Sequence, residues 1–312
     1  MLTGDVLGIV RESGFELVGI AAAGAVEDFP RYQAWVQQGH AGEMRYLTDR
    51  RAEVRRDVRA LLPSARSVIC VGKLYRTEYK PRAGARIARY AAARDYHDTM
   101  REALQLAVDR LQAIQPFEYK ICVDTAPLLE RSLAREAGLG WIGRNTCLIN
   151  EPLGSWFLLG EVITSLDLVA GAPPPDRCGT CTRCIEACPT QALIPEGEGG
   201  WTLDSRRCIS YLTIELGGPI PEEMHEGMGD HVFGCDICQE VCPWNSQAPF
   251  TEDPAFAAPA SCSSPLEQLA EMSAEDFRRE FAHTPIARAK FEGFRRNCEV
   301  ARSNRDTITA TD

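Results

Sequence analysis

The chain has 312 residues, 45% of them hydrophobic and 25% charged, with a formal net charge of −10. That length suffices for a buried core and about two domains of ordinary size, and the composition argues against disorder. No apolar run approaches the ~18 residues of a membrane span, the start MLTGDVLGIVRESGF is acidic where a signal peptide is basic, and the negative total repels nucleic acid at long range, so a nucleic-acid partner must meet a local basic patch.

From residue 1 to about 170, helical patterns alternate with short β-branched runs, ARSVICVG (65–72), FEYKICVD (117–124) and FLLGEVIT (157–164), which predicts an α/β layer structure. The arginine-rich stretches RYLTDRRAEVRRDVRALL (45–62) and EGFRRNCEVARSNR (292–305) are candidate basic patches, although solvated helix faces look the same in sequence. Periodicity breaks at VAGAPPPDRCG, which sets a domain boundary near residue 173. The cysteine-rich part follows, and SPLEQLAEMSAEDFRREF onwards has helical spacing before a polar end, NRDTITATD, expected to fray. The expected division is therefore 1–173, 174–250 and 251–312.

Thirteen cysteines in a chain expected to be cytoplasmic point to metal ligation rather than disulfides. CGTCTRCIEACP is a complete C-x₂-C-x₂-C-x₃-C-P run, with Cys178, Cys181, Cys184, Cys188 and then Pro189. GCDICQEVCPWN supplies only three places of a second run, Cys235, Cys238 and Cys242, with Val232 where the first would stand. In two-cluster ferredoxins the fourth cysteine of each run ligates the other cluster. That crossing gives Cys178, Cys181, Cys184 and Cys242 to one [4Fe-4S] cluster and Cys188, Cys235 and Cys238 to the other, with Cys208 of DSRRCISYL as the substitute ligand. Paired CxxC spacings also suit zinc, but the proline-terminated runs are far more specific. Cysteines 70, 122, 147, 262 and 298 are scattered and read as small packing residues.

GLGWIG (138–143) matches the dinucleotide fingerprint in letters, but a helix precedes it and an extended run follows, the reverse of the required context. Gly138 instead reads as a helix C-cap. DYHDTM (95–100) approaches the D-x-H-x-x-G signature of some corrinoid proteins, with Met100 in place of the glycine, so His97 reads as a surface or core residue. Asp124 ends an apolar strand and precedes a helix, a position that suits both a ligand-facing carboxylate and a simple N-cap made by Asp124 or Thr125.

Taken together, HAGEMRYL, LLPSARSVICVG, RYAAARDYH, VDTAPLLERSLAREAGLGWIGRNTCLIN, the first cysteine run, RRCISYLTIE and GCDICQEVCPWN resemble the epoxyqueuosine reductase family of tRNA-modifying enzymes, in the family's order from about residue 40 to 245. The resemblance implies an α/β cobalamin-binding domain, a ferredoxin-like domain with two [4Fe-4S] clusters, and here a short helical C-terminal segment. It implies reduction of epoxyqueuosine to queuosine at the wobble position of tRNA by cob(I)alamin, fed with single electrons by the clusters and drawing on a donor such as ferredoxin or flavodoxin. The family's general acid corresponds to Asp124, whose proton would have to be held near neutral pH by burial. Arg55 (with Arg56 as the alternative register), Ser210 and Asp236 are the expected cofactor contacts, and Arg144 is expected to touch cofactor or RNA. A monomer is expected. The segment after Cys242 is shorter than the helical-repeat extension of longer members, which leaves RNA contacts of that kind unassigned. Two other readings compete: a corrinoid reductive dehalogenase, whose export leader and tyrosine donor are not matched, and a plain iron-sulfur electron-transfer protein.

Overall fold

The structure, a computed structural model, describes residues 2–80, 82, 84–197 and 199–311, with side chains as far as Thr307. The chain divides into two compact units, each assembled from separate stretches: Met1–Leu74, His97–Cys181 and Pro243–Pro249 form the first, and Tyr75–Tyr96, Thr182–Cys242 and Phe250–Asp312 the second.

The first unit is organised by an antiparallel sheet whose strands lie in the order Leu17–Ala22, Ser67–Leu74, Phe157–Thr164, Tyr119–Cys122. Three of these are the β-branched runs evident in the sequence. The edge strand Leu17–Ala22 was not anticipated, because LVGIAA carries a glycine and alanines in place of a β-branched run. Ser67–Leu74 is buried at all eight positions, as expected of a strand covered on both faces. Helix Tyr96–Gln112 buries Met100, Leu104, Ala107, Val108 and Leu111, the 3.6-residue stripe of an amphipathic helix, and Met100 and Leu104 reach the sheet at Gly160. Helix Glu130–Glu136 covers the other face, where Leu133 and Ala134 share a core with Val68, Cys70, Cys122 and Ile163.

The three glycines of GLGWIG have packing roles. Gly138 follows the helix C-cap at φ +83°, a left-handed conformation that favours glycine, and a Cβ on Gly140 would meet the Ile149 carbonyl oxygen at 2.2 Å. As the reversed sequence context implied, the stretch leaves the helix at Gly138 and runs into a tight return between the short strands Trp141–Ile142 and Leu148–Ile149.

In the second unit, Ile87, Val232, Phe233, Phe277, Phe281, Phe294 and Cys298 form one core, with the Phe277, Phe281 and Phe294 ring centroids 5.2–5.4 Å apart. The terminal helix Lys290–Thr311 is tied to the cysteine-rich stretch by the fully buried Asn297, which donates to the carbonyls of Thr213 (2.8 Å) and Val232 (2.9 Å). The polar end from Asn304 is helical through Thr311, and its side chains beyond Thr307 and Asp312 lie outside the described residues. Among the described residues no helix is long and apolar enough to cross a membrane.

A Cβ at Gly19 would lie 2.2 Å from the Ala137 carbonyl oxygen and 2.4 Å from Leu139 Cδ1, where backbone cannot yield. Gly19→Ala is expected to lower stability by about 1–3 kcal/mol. Thermal melting of the variant against the parent chain checks this.

Candidate active site

Asp124 stands just past the last residue of strand Tyr119–Cys122, with φ +54°. A non-glycine residue holds this left-handed conformation only where its surroundings impose it, and aspartate is among the few that tolerate it. Three contacts impose it here. The Asp124 N–H donates to Glu130 Oε1 at 2.8 Å, Asp124 Oδ2 lies 3.2 Å from His97 Nε2, and Arg101 Nη2 donates to Thr125 Oγ1 at 3.1 Å. His97 and Arg101 are one turn apart on helix Tyr96–Gln112 and so face the loop together. The next helix starts at Glu130 with Leu129 at its N-cap, so neither Asp124 nor Thr125 caps it. The carboxyl is turned to His97 instead. His97, a surface or core residue by its sequence, is the neighbour that sequence reasoning missed: only the fold brings residues 97 and 124 together.

Burial was expected at Asp124 itself, but its side chain is 46% exposed. The buried acids lie behind it. Glu161 is on the strand Phe157–Thr164, in register with Cys70 on one side and Cys122 on the other, and is fully inaccessible. Burial pushes Glu161 well above the usual carboxylate range, and the charge of Glu130 adds to the effect. Burial likewise pushes Glu130 up to about 7, with the Asp124 charge raising it further and the Asp124 N–H pulling it back. Nothing in the sequence marks either residue, since ERSLARE and FLLGEVIT read as a helix face and a strand.

The other expected site residues are placed as follows. Arg55 is buried and donates through Nη1 to the carbonyls of Tyr46 (3.2 Å) and Arg51 (3.1 Å) with its guanidinium over the Tyr32 ring, whereas Arg56 is exposed and paired with Glu53. Arg144 Nη2 donates to the Gly179 carbonyl at 2.7 Å, inside the first cysteine run. Much of the arginine-rich stretch 45–62 is locally neutralised, Arg51 by Asp49, Arg56 by Glu53 and Arg59 by Asp57, as solvated helix faces are. In the second unit, Asp236 is buried, its carboxylate accepts the Arg89 N–H at 2.7 Å, and burial pushes it up to about 6. Ser210 presents its N–H and hydroxyl to the Cys208 sulphur.

In the second unit, Cys208 and Cys235 both feel the charge of Cys188. Burial raises the thiols of Cys208 and Cys235, Cys235 to about 12, and Cys188 adds to the rise at both while Cys208 adds at Cys235. Backbone N–H groups point at these sulphurs: Ala192 to Cys188 at 3.3 Å, Ser210 and Tyr211 to Cys208, and Ile237 to Cys235. Soft sulphurs that feel one another's charge and are each met by amide N–H groups suit an iron-sulfur cluster, whose irons fix the thiolates and whose sulphurs take such hydrogen bonds.

Comparison with known proteins agrees with this geometry. A family model described as "4Fe-4S double cluster binding domain" matches residues 177–245, and one described as "Epoxyqueuosine reductase QueG, DUF1730" matches residues 55–125. The epoxyqueuosine reductase of Xanthomonas campestris is 42% identical over 95% of this chain and 85% of its own, and that of Gloeobacter violaceus 43% over 93% and 92%. The chain belongs to the epoxyqueuosine reductase family. Among solved members, one crystallised with an epoxyqueuosine-modified stem loop of tyrosine tRNA superposes with a TM-score of 0.87 at 28% identity, covering 96% of this chain and 80% of that one. Another, from Bacillus subtilis, has its catalytic aspartate loop swung out of the active site and superposes with a TM-score of 0.85 at 27% identity, covering 96% of this chain and 81% of its own.

Two tests follow from the site. A carboxyl whose folded value is raised favours the folded state fully below its unfolded value, near 4.5 for Glu130, and that contribution is lost as pH climbs through about 7. Urea midpoints should therefore fall between about pH 5 and about pH 8, and Glu130→Gln should flatten that fall. For the cysteines, Cys208→Ser should leave one cluster intact, so iron content should drop from about eight to about four per chain; retention of eight would remove Cys208 from the ligand set.

Proposed function

We propose that this chain reduces epoxyqueuosine at the wobble position of tRNA to queuosine, with Asp124 as the proton donor. The observation that carries the reading is a half-exposed carboxyl, held on a left-handed turn against His97, in a chain that matches epoxyqueuosine reductases over nearly its whole length. The reaction takes two electrons and two protons, turns the epoxide into an alkene and releases the epoxide oxygen as water.

An oxyanion leaves a carbon poorly until it is protonated, so a carboxyl within reach of the epoxide oxygen is the group this chemistry needs. Asp124 supplies it. His97 orients the carboxyl through Oδ2, and Arg101 braces the loop through Thr125, so the proton is delivered from a fixed position. The modified base must be splayed out of the anticodon loop to reach such a residue, since bases are read or modified outside the stack.

Cobalamin, when bound, supplies a reduced cobalt nucleophile that no side chain can replace. The partly exposed Arg144 is the proposed direct contact to it. Arg55, with its guanidinium held by backbone carbonyls, and Asp236, held by the Arg89 N–H, would act by shaping their segments, and Ser210 through the Cys208 sulphur. His97 faces Asp124 and Met100 is packed against Gly160, so DYHDTM is not arranged as a cobalt-ligating motif.

For the clusters we assign Cys178, Cys181, Cys184 and Cys242 to one and Cys188, Cys208, Cys235 and Cys238 to the other. The proline-terminated spacings support the first set; the mutual proximity of Cys188, Cys208 and Cys235 supports the second. On this reading 1–173 is the catalytic stretch, 174–250 the electron-carrying one and 251–312 the helical support. Electrons come from a carrier of the ferredoxin or flavodoxin class, and the chain works as a monomer in the cytoplasm, where tRNA and such carriers meet.

Incubating the reconstituted protein with cobalamin, a low-potential reductant and tRNA bearing epoxyqueuosine should remove one oxygen mass from the nucleoside, read by mass spectrometry. Asp124→Asn should lower the rate by about 10²–10⁴-fold with cluster content and tRNA binding retained. No oxygen loss from a fully loaded protein would sink the assignment.

A further inference from the structure

Glu161 sits in the middle of the sheet between Cys70 and Cys122, and among the described residues no N–H or hydroxyl reaches either of its carboxyl oxygens. A bare carboxylate in such a place is strongly disfavoured, so the group must be neutral, shared, or both. Its hydrogen-bonding neighbour is another acid, Glu130, on the helix packed over that face of the sheet. Two carboxyls with no other donor between them hold together only when one carries a proton. Glu161 is the one more completely shut off from water. Glu130 in turn is the acceptor for the Asp124 N–H at 2.8 Å, so a line of polar groups runs from the centre of the sheet to the backbone of the proposed acid.

We propose that Glu161 and Glu130 share one proton and act as a positioning pair for Asp124: neutral Glu161 donates to the Glu130 carboxylate, whose oxygen holds the Asp124 N–H and so maintains the left-handed turn that sets the Asp124 carboxyl against His97. The role rests on the reading of Asp124 as the proton donor. Both glutamates are positioning residues, since neither need touch substrate. An ionised acceptor holds an amide N–H more strongly than a neutral one, so protonating Glu130 loosens the turn. The groups facing the pair are Asp124, Arg131, Cys70 and Cys122, with Glu136 felt at Cys70 and Lys120 at Cys122. Of these only Arg131 and Lys120 oppose the acids, and burial pushes Glu130 up to about 7, within the working range.

The test uses the full chain with both clusters loaded. Infrared spectroscopy at neutral pH, with ¹³C-labelled glutamate to mark the band, should reveal a protonated buried carboxyl that disappears in Glu161→Gln. The kcat–pH profile should have an acidic limb that vanishes in Glu130→Gln, which keeps an acceptor oxygen but cannot titrate. Glu130→Ala should lower kcat about 10–100-fold with the KM for tRNA unchanged. Absence of the protonated band in the parent chain, or an acidic limb unmoved in Glu130→Gln, overturns the proposal, and the infrared arm on the parent chain decides even where a variant fails to fold. Asp124→Asn separates the two readings. Activity surviving in it overturns the donor assignment and with it the catalytic half of this proposal; loss of activity in it, together with a missing band, overturns the pair alone.

Discussion

A carboxyl group cannot lie at the centre of an apolar sheet without either a proton or a donor, and in the first unit that constraint reaches from the core to the loop that carries Asp124. Glu161 occupies a strand position that would ordinarily hold a valine or isoleucine, between two cysteines that burial keeps as neutral thiols. The helix above must then present something that can share a proton. It presents Glu130, and Glu130 holds the Asp124 amide. Sheet, helix and loop are thus linked by a few polar contacts in surroundings that are otherwise apolar, where low dielectric makes each contact stronger and its loss more costly.

The same economy shapes the cysteine-rich stretch. Its helices are four to seven residues long, too short to be stable alone, and its core depends on the apolar segments on either side in sequence. Phe277, Phe281 and Phe294, from what composition presents as a separate C-terminal segment, pack with Val232 and Phe233 just before the second cysteine run. Buried Asn297 closes the arrangement by satisfying two carbonyls that no regular helix or sheet would reach. The short helices turn their first N–H groups onto the sulphurs, a polar environment suited to iron-sulfur chemistry.

The α/β character, the strands at 67–74 and 157–164, the helix ending before Gly138 and the two cysteine runs were all legible in the sequence, because each rests on local periodicity, a single backbone conformation or a fixed ligand spacing. The edge strand at 17–22 was not, since its glycine and alanines carry no β-branched signal and it forms only against Ser67–Leu74. The burial expected at Asp124 lies instead at Glu130 and Glu161, because the loop that carries Asp124 lies at the open end of the strand while the acids behind it are covered by helix and sheet. His97 illustrates the remaining gap: twenty-seven residues from Asp124 in the chain, it is brought 3.2 Å from that carboxyl by helix packing.

The sequence by itself determined the family and the cysteine spacing that suits two clusters, because these are written in adjacent or regularly spaced residues, and through the family resemblance it singled out Asp124 as the candidate acid. Only the tertiary structure decided that Asp124 adopts a left-handed turn, that His97 and Glu130 contact it there, and that Cys208 comes within electrostatic reach of Cys188 and Cys235. These facts depend on which distant segments pack together and on how much water that packing excludes. Burial, unlike spacing, belongs to the folded chain as a whole.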